Sequence, residues 1–225
     1  CLLSRGLGDV YKRQSPDSAA GREGIGFTVE AYISDSEKVE SLGDVDITAD
    51  NNSSITSDVV GGSLSVSASA AAALAGSISA VESYNSIKNT VRAYIGNSDV
   101  TLLANVDRFE AGNLSVSALN ESRIDVDAVA ASIAVAVSLD SIGLSGGGSG
   151  SYNTIQNTVE AYLFTPQGNL GDREIQAAGS VNVQALDGKG STSEIDASTG
   201  VGSLGVGTIA GASIGASVSK SLIDN

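Results

Sequence analysis

One twelve-residue box constrains the whole chain. YNTIQNTVEAYL at 152–163 repeats YNSIKNTVRAYI at 84–95, and a shortened form, FTVEAYI, occupies 27–33. Ser221, Ile223 and Asn225 follow Asn153, Ile155 and Asn157 by 68 positions (221 − 153), as these follow Asn85, Ile87 and Asn89, so a fourth copy begins at the end of the sequence. A chain that repeats at a fixed long period is an array, whose units bury their apolar faces against one another and cannot each close a core. Within the box, Asn85, Ile87, Asn89, Val91, Ala93 and Ile95 share one parity, and Tyr84, Ser86, Lys88, Thr90, Arg92 and Tyr94 share the other. That is the period-2 signature of a strand. Twelve residues at about 3.3 Å each reach roughly 40 Å, beyond the usual strand, so a bend near the second Asn is expected.

Two further signatures recur in phase with the box. GDVDITA at 43–49 corresponds to GNLSVSA at 112–118 and GSVNVQA at 179–185, with glycine spacings of 69 (112 − 43) and 67 (179 − 112). Each reads as a glycine turn opening a short alternating strand, after a loop at 34–42 in the first copy. Ile55 and Ile124 lie 12 residues after their glycines and Ile195 lies 16 after, which places a loop insertion around Asp187-Gly188-Lys189-Gly190. The third signature is a stretch of Ala, Ser and Gly at 63–80, 124–144 and 198–218. Ala70 to Ala73 would suit a helix, but Gly200, Gly202, Gly205, Gly207, Gly211 and Gly215 stand at the same phase in the third copy, each costing about 1 kcal/mol in a helix relative to Ala. The stretches therefore read as strand.

The expected fold is all-β, a parallel β-helix or β-solenoid built from repeats of about 68 residues, each unit holding roughly four to six short strands and about three coils of roughly 20 to 25 residues. Val, Ile, Leu and Ala should point inward. Asn85, Asn89, Asn153 and Asn157 should sit at corners and stack into side-chain ladders. Tandem small β-sandwiches are the alternative, disfavoured because 68 residues is short for a domain of about 100. The units run roughly 24–86, 87–154 and 155–222 of a single solenoid at 24–225.

Residues 4–14, SRGLGDVYKRQ, resemble the translation of a transposase-type sequencing adapter, so 1–14 is read as a disordered, non-native leader and 15–23 as a linker. The natural start is then missing, and the lack of a leader peptide says nothing about export. Setting aside Arg5, Lys12, Arg13 and Asp9 leaves 9 basic against 25 acidic residues (12 − 3 and 26 − 1), a net charge of −16. Nucleic acid and anionic membranes need clustered Lys and Arg, so neither is an expected partner. The sequence has no His and no cysteine beyond Cys1, which rules out a Ser-His-Asp triad or His/Cys metal centres within this chain. Residues 197–219 are uncharged but dense in Gly and Ser and in phase with the repeat, so they read as repeat and no membrane insertion by this segment is expected.

The NTV-x-AY-[IL] box, the Gly-x-[VL]-x-[VI]-x-Ala strand and the small-residue stretch together resemble the repeat regions of large bacterial surface and secreted adhesins, the filamentous-haemagglutinin-like and leukotoxin-like β-strand repeat proteins. The resemblance covers about 24–225. It implies a non-catalytic, structural or adhesive segment of a large exported protein, at the bacterial cell surface or outside it, reaching there by a two-partner or autotransporter route. It also implies contact with a host or neighbouring cell surface through a glycan or protein ligand, and stacking on further repeats of the same chain. The alternatives are a fragment of a polysaccharide-degrading β-helix enzyme and a purely structural matrix filament.

Among candidate sites, Asp125 and Asp127 flank Val126, and Asp44 and Asp46 flank Val45. Such carboxylate pairs could hold calcium or work as acid and base, but solvated outer-face charge is the favoured reading; no cofactor is expected. Tyr94 and Tyr162, with Tyr32, Tyr84 and Tyr152, lie on the outward parity of the boxes, where they should pack on neighbouring coils. Gly205 to Ala210 fits a dinucleotide-binding spacing, with Asp224 beyond it, but lacks the required helix.

Overall fold

The structure is a computed structural model that describes residues 11–14, 22–104, 112–164, 173–188 and 193–224. The first ten residues of the leader, 15–21 of the linker, Lys189 and Gly190 of the insertion, and Asn225 lie outside the described residues. The described chain is all strand: β1 (Tyr11–Gln14), β2 (Arg22–Ser34), β3 (Val39–Leu42), β4 (Val45–Ala68), β5 (Ala72–Gly96), β6 (Val100–Leu103), β7 (Leu114–Val137), β8 (Asp140–Phe164), β9 (Ile175–Ala177), β10 (Val181–Asp187), β11 (Glu194–Val206) and β12 (Ala210–Asp224).

These strands form a parallel β-solenoid. One long sheet runs β2-β5-β8-β12, the facing one joins β4 to β7 and β7 to β10 and β11, and a short third sheet is β3-β6-β9. Every strand in the stack pairs with its own copy. Val45 lies opposite Leu114, an offset of 69 (114 − 45); Tyr84 lies opposite Tyr152, an offset of 68 (152 − 84); Val39 lies opposite Val100, an offset of 61 (100 − 39). One sequence unit is thus one coil, and not the three expected. The units do not close as separate sandwiches, because the sheets run through them. Tyr11–Gln14, expected to be unstructured, forms a strand antiparallel to β2 and adds nothing to the parallel stack.

The strands are also far longer than expected. β4 and β7 have 24 residues each and β5 and β8 have 25, with no break at Asn89 or Asn157. An unbroken partner of identical pattern on the next coil removes the register conflict that limits ordinary strands. The loop expected at 34–42 holds a corner at Asp35 and then β3; Asp35, like its equivalent Asn97, has positive φ, 53° and 47°, a conformation Asp and Asn tolerate. The glycine turns hold as read: Gly112 has φ 68°, and a Cβ there would lie 2.8 Å from the Leu103 carbonyl oxygen.

Between the long sheets the interior is layered. Nearest the short sheet, here the base, Ile47, Ala49, Val91, Ala93, Ile95, Val100, Leu102, Leu114, Val116 and Ala118 form the widest apolar layer. A polar layer follows, then Ile55, Ile87, Ile124, Val126 and Ile155, each fully buried side chain contributing about 1.5–3 kcal/mol. Toward the far end, here the tip, the layers shrink to Val81, Ala128 and Ala130 and then Ala73, Ala75, Ala134 and Ala136.

The tip half overturns the expectation that Val, Ile and Leu point inward. In β4 the inward parity carries Ile47, Asn51 and Ile55 near the base and then Gly61, Ser63, Ser65 and Ser67, while Val60, Leu64 and Val66 point out at 80%, 70% and 66% exposure. In β5 the outward residues include Leu74 and Ile78, at 67% and 82%. The cause is parity: an uninterrupted strand keeps its alternation, so once Ile55 and Ile87 are fixed inward, Leu64 and Ile78 must face out. With small residues facing, the sheets approach closely: the Ser63 and Ser77 hydroxyls are 2.6 Å apart, and Cβ atoms on Gly143, Gly205, Gly207 and Gly211 would each overlap backbone of the opposite strand.

Candidate functional site

The most organised chemistry in the molecule is the polar layer between the two larger apolar layers. Asn51 Nδ2 donates to Asn120 Oδ1 at 2.7 Å, and Asn120 Nδ2 donates in turn to Asp187 Oδ1. From the facing sheet, Asn89 Nδ2 reaches Ser53 Oγ at 3.2 Å and Ser122 Oγ at 3.1 Å, and Asn157 Nδ2 reaches Ser193 Oγ at 3.3 Å. Asn89 Oδ1 accepts the Phe27 amide at 3.2 Å, where β2 skips its backbone pairing to β5. A second, shorter ladder runs from Asn85 Nδ2 to Asn153 Oδ1 at 2.8 Å, with Asn153 Nδ2 donating to Ser151 Oγ. All four predicted asparagines are thus in ladders, buried in mid-strand and not at corners. The partners on β4, β7 and β10 were missed, although a signal existed: Asn51, Asn120 and Asp187 each lie eight residues after Gly43, Gly112 and Gly179. Interior amides stacked this way donate and accept in one direction along the axis, so each coil sets the register of the next.

The outer face of the box carries a second set of columns. Tyr32, Tyr94 and Tyr162 stack at centroid distances of 5.1 and 5.0 Å with planes within 9° of parallel, and Tyr84 stacks on Tyr152 at 4.8 Å. Face-to-face stacking occupies the ring faces, leaving edges toward solvent, so a sugar cannot lie flat on a ring between two coils. Burial pushes the Tyr94 phenol above its ordinary value, and the Glu30 carboxylate adds to this. The neutral phenol is thereby favoured in the fold, so stability from this group is full below pH 10 and is lost as pH rises above it. A spectrophotometric titration should show Tyr94 ionising later than free tyrosine, with thermal stability falling over that alkaline range.

Beside the tyrosines, Arg92 lies between two acids. Its Nε donates to Glu160 Oε2 at 2.7 Å and its Nη1 to Glu30 Oε1 at 3.5 Å, and the Glu160 bond holds the guanidinium above its usual range. In this column Glu, Arg and Glu alternate from copy to copy, which avoids the repulsion of like charges at directly paired positions. At the first corner, bonds from Ser34 and Asn97 hold the Asp35 carboxyl below its usual value.

The four aspartates singled out as calcium candidates are dispersed. Asp44 Oδ1 accepts the Asn113 amide at 2.7 Å and its Nδ2 at 2.9 Å, and Asn113 Oδ1 accepts the Ser180 amide at 2.8 Å, an exposed ladder at the glycine turns. Asp46 points outward beside Ser115. Asp125 lies 3.7 Å from Arg123, and Asp127 is paired in register with Asp58 on the outer face. Among the described residues no group of three or more His, Cys, Asp or Glu gathers to hold a metal ion. Gly205 to Ala210 runs from β11 through a turn into β12, without the helix that a dinucleotide site needs. Comparison with protein-family models, with curated proteins and with solved structures returns no match for this chain.

Proposed function

We propose that the chain is a non-catalytic structural and adhesive segment of a large exported bacterial surface protein, mediating attachment to a host or neighbouring cell. The observation that carries this reading is the contrast between inside and outside. The interior ladders repeat from coil to coil, while outward charges such as Glu30, Arg92 and Glu160 change. A regular array presenting stacked columns suits display and multivalent contact, and the dispersed carboxylates suit solvation better than acid-base work. Neither a metal nor a cofactor enters this reading.

The test is saturable binding of the purified 225-residue chain to bacterial and epithelial cells and to a glycan array, with and without chelator. Saturable, chelator-resistant binding without change in glycan chain length is expected. Cleavage of a polysaccharide, lost in the Asp125→Asn/Asp127→Asn double variant, would sink the reading in favour of a β-helix enzyme. Absence of saturable binding to any surface would leave a matrix filament.

A further inference from the structure

We infer that the tip half of the coils is built to enter a lipid bilayer. This goes beyond the adhesive reading and does not depend on it, because it rests on where apolar and charged side chains stand. Asp58 on β4 and Glu82 on β5 mark the same height on opposite outer faces, since their neighbours Ser57 and Ser83 meet across the interior at 3.3 Å. Beyond that height the first coil carries no charge from 59 to 81, and the third carries none from 197 to 219. In the second coil the only charge beyond Asp127 on the way to the tip and back along β8 to 159 is Asp140, beside the tip turn, where it would emerge among the far headgroups.

The depth of this uncharged zone matches a bilayer. Residues 59–68 and 72–81 give ten per strand (68 − 59 + 1), about 33 Å, against a hydrocarbon core of about 30 Å and spanning strands of about 9–11 residues. The polarity is the reverse of that of a water-soluble sheet pair. Val60, Leu64, Val66, Leu74 and Ile78 face out on both sides, whereas the buried hydroxyls of Ser132, Ser145 and Ser149 face in without a hydrogen-bond partner among the described residues. Across β5, β8 and β12 the outer face holds an apolar groove of about 640 Å³, with Ile78, Leu144 and Ile214 standing around the bare backbone of Gly146, a shape that takes an acyl chain.

A second copy fits less well, because laid on one face it would leave the apolar residues of the other exposed. Lipid covers both faces and the tip at once. The acidic base half excludes anionic headgroups, so the occupant is a zwitterionic bilayer. No described helix could cross a membrane, but that concerns helices alone; the inserting unit here is a strand pair. Backbone groups within each sheet are paired coil to coil, as a strand unit in hydrocarbon requires.

The chain has no tryptophan, so single tryptophans report cleanly. With phosphatidylcholine vesicles, the Ile78→Trp protein should float with the lipid, shift its emission to the blue and be quenched by acyl-chain nitroxides, while Thr48→Trp, on the base half, should do neither of the last two. Ile78→Lys should lower the vesicle partition about a hundredfold with its strand circular dichroism intact. Should Ile78→Lys not fold, Leu64→Lys on the opposite face and the tryptophan pair decide the matter. Failure to float with phosphatidylcholine overturns the inference, as does a blue shift of Ile78→Trp that grows with protein concentration without lipid, which would make this face a contact between copies.

Discussion

Replacing Asn120 by alanine should destabilise the middle coil by about 3–5 kcal/mol, read as a lowered urea midpoint. Asn120 is fully buried and sits in the middle of the longer ladder, between Asn51 and Asp187. It accepts from Asn51 Nδ2 at 2.7 Å and donates to Asp187 and, at 3.2 Å, to Ser122 Oγ. Truncation leaves several buried polar groups short of a partner, each costing about 1–3 kcal/mol, and opens a small cavity besides. The matched control is Asn113→Ala in the exposed Asp44–Asn113–Ser180 ladder, where water replaces the lost bonds and the cost should stay under about 1 kcal/mol. If the two variants unfold at the same urea concentration, the interior amides do not set the register and the stack is held by its apolar layers alone.

The second large effect is steric. A Cβ at Gly205 would overlap the Ala212 carbonyl oxygen and lie 2.6 Å from that of Gly143. These are backbone atoms held in the parallel ladder of β8 and β12 on the facing sheet, so nothing can swing aside, and Gly205→Val should cost more than about 3 kcal/mol or prise the tip of the third coil open. Gly202, on the same strand and the outward parity, has nothing within 4 Å of its Cβ position. Gly202→Val should be neutral or stabilising by up to about 1 kcal/mol, because a β-branched residue replaces a flexible one in a strand. Limited proteolysis would show the difference directly, with cleavage near 205–212 in Gly205→Val and none in Gly202→Val. Equal tolerance of both would mean that the sheets can part at the tip without loss.

The box alone made the strand character legible, because Asn85, Ile87, Asn89 and Val91 leave no other reading of their spacing. The repeat period made the solenoid legible. What the spacing could not convey was how many turns one period holds. That depends on whether a strand of 24 or 25 residues can run unbroken, and the pairing of Tyr84 with Tyr152 along whole strands shows that here it does. From that one fact follows the inversion at the tip, since parity carried from Ile87 puts Ile78 outside. The asparagine ladders were half legible. Asn85 and Asn89 stood out by repetition in the box, while Asn51 and Asn120 lay in stretches whose other residues differ, and only a common distance from the glycine turns linked them. Asp44 looked like a ligand because it neighbours Asp46, yet its Oδ1 accepts two bonds from Asn113, a partner 69 residues away that no local pattern reveals.

The parallel register also fixes how the molecule bears force. Backbone bonds between coils point along the stacking axis, each coil adding only about 4.8 Å of height for some 68 residues of chain. Tension spread evenly over the broad end of the stack loads all the bonds of an interface together, and the interface holds like a glued lamina. Tension drawn through the polypeptide itself enters at a single corner, where one coil hands over to the next, and there it loads bonds one after another. The same blade is therefore strong against being pulled apart as a block and weak against being peeled by its own thread, releasing a long tether from each coil that yields.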